Sequence, residues 1–127
     1  MTKTIFSGGM VFDGTGAQPA AADVAVEAGR IVDVGSGLDG DVSVDVTGRT
    51  LLPGLFDCHT HVTISSVDLW RAAQQPFSYQ FYEAARNLEA TLRIGVTTVR
   101  DAGGADLGIK EAVDDGLVAG RECRSRS

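Results

Sequence analysis

The chain holds two histidines, and they stand one residue apart in "FDCHTHV", residues 56–62. Neutral imidazole is a common ligand for divalent metals. Side chains alternate faces along a β-strand, so His59 and His61 share a side, with α-carbons roughly 6.6 Å apart. Zinc–imidazole bonds are about 2.0–2.1 Å long, which lets two such rings converge on one ion. Asp57 falls on the same side and is either a ligand itself or, behind the pair, an acceptor for a ring N–H that fixes the tautomer. Phe56, Cys58 and Thr60 fall on the other side, so Cys58 is not expected to join the rings. The plain alternative is a pair of solvated histidines after a strand, with no ligand. An imidazole pair suits zinc, iron, nickel or cobalt.

The element that must carry the pair is "LLPGLFDCHTHV", residues 51–62. Its continuous apolar run reads as a strand covered on both faces. The histidines close it, at the end where α/β sheets gather their chemistry. "SSVDLWRAAQQ" follows as a short helix capped by Ser65 or Ser66. Pro76 then opens a longer helix, with Phe77, Phe81, Ala84, Ala85, Leu88 and Leu92 on one stripe and Gly95 as its stop. "VTTVRDAGG" is β-branched and reads as a second buried strand ending at Arg100 and Asp101. These two either border a substrate pocket or serve as a solvated Arg100 and a loop-capping Asp101. "ADLGIKEAVDDGLVAG" places Ile109, Val113 and Leu117 on a helical stripe. Strand, helix, strand, helix implies an α/β fold with a parallel sheet. No third apolar strand follows, and the basic tail "RECRSRS", residues 121–127, reads as sequence of a different kind.

Residues 1–52 alternate with period two. "TIFSGGMVF" suggests a hairpin around Gly8-Gly9. Val24 and Val26, then Ile31, Val32 and Val34 across Ala28-Gly29, suggest a second. Val42, Val44 and Val46 give a further strand, for a small antiparallel unit.

The 127 residues are 43% hydrophobic with a formal net charge of -6. That supports a modest core. It argues against nucleic acid or an anionic membrane as partner, since both want basic patches. No apolar run is long enough for a membrane helix, and no secretory h-region is present. Cys58 and Cys123, outside any C-x-x-C pattern, read as reduced thiols of a cytoplasmic protein.

"FDGTG", "DVAVEAGRIVDVG", "VDVTGRTLLPGLFDCHTHV" and "GVTTVRDAGG" together resemble the amidohydrolase superfamily, in the branch of imidazolonepropionase-like enzymes and Xaa-Pro or Xaa-Arg dipeptidases. The resemblance spans residues 4–120. It implies a β-sandwich portion over residues 1–52 and, over 53–120, the first two βα units of a (β/α)8 TIM barrel, left incomplete. His59 and His61 match the family's metal-binding H-x-H, for one or two divalent ions, usually zinc. The implied reaction is hydrolysis of C–N bonds in small amides, cyclic amides or dipeptides by metal-activated water. The family's remaining ligands and its acid–base group have no counterpart here, so the catalytic residues stay unassigned. The expectation is an amino-terminal fragment, inactive by itself, with residues 121–127 non-native. The alternatives are a non-catalytic remnant or a metal-binding module. An unclosed barrel exposes strand edges, which favours association of copies.

Overall fold

The structure, a computed structural model, describes residues 1–120 and 122–124. The chain is α/β and divides into two compact units, Met1–Pro53 and a second beginning at Gly54.

The first unit contains β1 (Thr4–Ser7), β2 (Met10–Val11), β3 (Ala20–Ala21), β4 (Asp23–Glu27), β5 (Arg30–Gly35), β6 (Val42–Asp45) and β7 (Thr50–Leu51). They form a four-stranded sheet in the order β5-β4-β1-β6 and a three-stranded one in the order β3-β2-β7. The β4–β5 hairpin forms as the alternation predicts. Both residues of its tight turn, Ala28 and Gly29, have positive φ (51° and 73°), the twist that suits a two-residue hairpin. The hairpin expected at Gly8-Gly9 does not form. β1 pairs instead with β4 and, in parallel, with β6, while β2 pairs with β3 and, in parallel, with β7. This path needs a glycine at position 8, where a β-carbon would lie 2.6 Å from Thr47 Oγ1. The backbone of residues 8–9 slips past residues 45–49 and carries the chain from one sheet to the other. The unit is therefore mixed rather than antiparallel. Ile5, Val24, Ala25 and Val46 are its buried apolar residues.

The second unit runs β8 (Leu55–Thr60), α1 (Leu69–Gln74), α2 (Tyr79–Arg93), β9 (Val96–Asp101), α3 (Leu107–Asp114) and β10 (Glu122–Arg124). The three strands form a parallel sheet in the order β10-β9-β8. Val62, Ala84, Leu88, Val99, Ile109 and Val113 make its core, with Phe81 and Val96 packed against it. The helical stripes of α2 and α3 thus face this shared core as their spacing predicts.

Four expectations need correction. The run 51–62 is two strands, because Pro53 has no N–H to donate and the chain breaks between β7 and β8. β8 is not covered on both faces: Leu55 through His59 are exposed, Phe56 at 68%. Among the described residues its strand neighbour is β9. The cap of α1 is Asp68, whose carboxylate accepts from Arg71 N–H at 3.0 Å, while Ser66 Oγ accepts from Asp68 N–H. Phe77 and Leu117 lie outside the helices and are exposed.

A further correction concerns the tail. A third parallel strand does begin, at Glu122, in register with Thr98 to Arg100 of β9. Its "ECR" is too polar to announce itself, because the ladder is made by backbone groups that any residue supplies. The rest of the expected tail, residues 121 and 125–127, lies outside the described residues. Among the described residues no helix is long and apolar enough to cross a membrane.

Candidate metal centre

β8 ends at Thr60, so His59 lies on the strand and His61 one residue beyond it. Their rings sit side by side, with centroids 5.4 Å apart and planes at 78°. Two imidazoles sharing one tetrahedral ion at about 2.05 Å per bond need centroids about 5 Å apart. The observed separation therefore fits a shared ion.

The two rings are held differently. His61 Nδ1 lies 2.7 Å from the carbonyl oxygen of Gly103. A carbonyl can only accept, so Nδ1 carries a proton, and in the neutral ring Nε2 then keeps the lone pair that a metal needs. Among the described residues the ring of His59 has no hydrogen-bond partner; its ring contact is with His61.

Asp57 does not meet a ring N–H. Its Oδ1 accepts from the backbone N–H of His59 at 3.0 Å, where the pairing of β8 with β9 becomes irregular between Asp57 and Thr60. The carboxylate shapes the strand end rather than a tautomer. Cys58 is a free, exposed thiol. Among the described residues no group of three or more His, Cys, Asp or Glu side chains could enclose an ion. Among the described residues the two imidazoles are thus the side chains whose spacing suits one shared ion.

The loop after β8 is tied down from two sides. Asn87 of α2 donates to Val62 O at 2.9 Å and to Ser65 Oγ at 3.0 Å. Asp101, only 1% exposed, accepts from Val62 N–H and Gly103 N–H at 2.8 Å each and from Ala105 N–H at 3.2 Å. Ala102 N–H donates to Thr60 O at 2.8 Å. Of the two readings of residues 100–101, the capping one holds: Asp101 caps its loop and Arg100 is exposed. Gly104 passes so near buried Thr63 that a β-carbon would lie 2.2 Å from its Oγ1. The sequence reading missed Asn87 and Gly103. Asn87 was legible as a polar residue one place from the stripe residue Leu88. Gly103 acts through its carbonyl, which leaves no mark in the sequence.

A cleft of about 580 Å³ lies beside this loop, between Thr63–Ser66, α1 and the start of α2. Arg71, Tyr79, Gln80 and Glu83 line it; neither histidine does.

Residues 50–126 match the model of the amidohydrolase family. The matched stretch takes in residues 121–126 of the basic tail. Adenine deaminase 1 of Rhizobium etli is 35% identical over 63 residues, 50% of this chain and 11% of that protein. Allantoinase of Enterococcus faecalis is 39% identical over 61 residues, 48% of this chain and 13% of that protein. The crystal structure of a prolidase complexed with N-methylphosphonate-L-proline covers 98% of this chain at 36% identity and a TM-score of 0.85, and the chain covers 31% of it. The chain therefore spans about a tenth of the curated relatives and under a third of the solved structure. With more than half of its residues inside the family match and its histidine pair at the end of the first parallel strand, the chain belongs to the amidohydrolase family.

Proposed function

We propose that this chain carries the first part of the active centre of a metal-dependent amidohydrolase that breaks C–N bonds in small amides, cyclic amides or dipeptides. The observation that carries the reading is the pair of imidazoles 5.4 Å apart, one of them with its Nδ1 engaged and its Nε2 free. His59 and His61 hold a divalent ion, zinc in the first instance. A bound ion of this kind lowers the pKa of its water and polarises the scissile carbonyl. The range of related proteins supports C–N chemistry: a deaminase, an allantoinase and a prolidase. In the same reading, β8-β9-β10 opens a (β/α)8 barrel, residues 1–52 form part of a β-sandwich, and the setting is cytoplasmic, where the Cys58 thiol stays reduced. Among the described residues β8 is paired on one flank, which makes association with a further chain part of the proposal.

Two imidazoles leave a tetrahedral zinc half coordinated, and catalytic sites keep three protein ligands. Turnover therefore needs ligands beyond this pair. The absence of a third donor among the described residues favours a second reading, a metal-binding module without turnover.

The test is metal loading of the chelated chain with Zn(II) or Co(II), beside the double variant His59→Ala/His61→Ala, with hydrolysis of Xaa-Pro dipeptides followed in parallel. One weakly held ion per chain, lost in the double variant, is expected. Equal binding by the double variant overturns the site. Hydrolysis by the chain alone, dependent on both histidines, overturns the need for further ligands.

A further inference from the structure

Asp101 is the largest side chain sealed below 2% exposure in the structure, and its two oxygens face different segments. Oδ2 accepts from the N–H of Val62, the residue after His61. Oδ1 accepts from the N–H groups of Gly103 and Ala105, and the carbonyl of Gly103 accepts from the His61 ring. One carboxylate therefore grips both backbone pieces that define His61: the one bearing its α-carbon and the one bonded to its imidazole.

We propose that Asp101 is a positioning residue for His61. Through Gly103 it holds the ring in the Nδ1–H tautomer and aims the Nε2 lone pair at the ion. The inference rests on the reading of His61 as a metal ligand, and it makes the two histidines unequal. His61 is oriented before any ion arrives, whereas among the described residues His59 has no such support. Ligand-orienting partners of this kind typically change metal affinity 10- to 100-fold when removed. Asp101→Asn is close to isosteric and breaks the grip at one point. An amide has a single acceptor oxygen, so it can serve Gly103 and Ala105 or Val62, but not both sides.

The 127-residue chain is titrated with Co(II) as wild type, Asp101→Asn and His61→Ala, with far-UV circular dichroism to verify folding. Long-range nitrogen–proton NMR reads the tautomer of each metal-free imidazole, with both rings neutral. The expected result is an Nδ1–H tautomer at His61 in the wild type, its loss in folded Asp101→Asn, and Co(II) affinity lower by about 10-fold or more in that variant. Loss of binding in His61→Ala with wild-type affinity and tautomer in Asp101→Asn overturns the role of Asp101 alone. Unchanged binding in His61→Ala overturns the metal reading and this role with it. Should Asp101→Asn fail to fold, the wild type still decides: an Nε2–H or mixed tautomer at His61 overturns the proposal.

Discussion

Asn87, in the middle of α2, donates its side-chain amide to the carbonyl oxygen of Val62, 2.9 Å away and 25 residues earlier in the chain. The bond joins the longest helix to the segment just after the histidines. Val62 is itself in the core, so its carbonyl has little water to turn to. Asn87→Leu is expected to cost about 1–3 kcal/mol, the usual penalty for orphaning a buried polar group. Urea denaturation measures it, and a change below about 0.5 kcal/mol would show that water replaces the amide freely.

The core predicts a sharp contrast between two leucines. Leu88 is 5% exposed in the main cluster, while Leu117 is 79% exposed beyond α3. Leu88→Ala should cost about 2–5 kcal/mol by lost burial and the cavity left behind. Leu117→Ala should stay within about 0.5 kcal/mol. Equal effects in chemical denaturation would mean that the cluster is not the core.

Gly104 has φ of +114°, and an added β-carbon would collide with Thr63 Oγ1. Gly104→Ala therefore carries both backbone strain and a clash, about 1–3 kcal/mol for the strain alone. Combining it with Thr63→Ala should restore part of the loss and leave the backbone share. Purely additive losses in the double variant would place the fault elsewhere.

Asp45 accepts hydrogen bonds from the hydroxyl and the backbone N–H of Thr47, which hold its carboxyl below the ordinary aspartate range, the hydroxyl being the larger cause. Asp13 is lowered in the same way, first by the backbone and then by the hydroxyl of Thr15. A carboxyl lowered in the folded state stabilises above its unfolded pKa, and that contribution disappears as pH falls through the folded value. Thr47→Val should move the NMR titration midpoint of Asp45 upward and leave Asp13 in place. A stationary Asp45 midpoint would show that the hydroxyl is not responsible.

Periodicity made the helical part of the fold legible. Ala84, Leu88, Ile109 and Val113 repeat with the helical period and are buried. The alternation around Ala28-Gly29 likewise announced the β4–β5 hairpin. Strand partnership was not legible, because pairing is made by backbone groups. Nothing in "TIFSGGMVF" says that its halves join different sheets, and "ECR" gave no sign of β10. At the candidate site, the histidine spacing foretold two neighbouring rings, whereas the hydrogen-bond partner of the His61 ring was hidden. The carboxylate expected behind a ring, Asp57, bonds to backbone, and the oxygen that does meet His61 belongs to a glycine.

β8 is laddered on one side, to β9. In a strand bonded this way, successive amide protons point alternately toward the neighbour and toward water. Deuterium uptake along residues 55–60 should therefore run slow and fast in alternation, apart from the irregular step near His59. A molecule that zips onto the flank left unpaired among the described residues would slow the fast set and leave the slow set nearly as it was. The strand bearing the first histidine thereby reports, amide by amide, whether its outer side has been sealed.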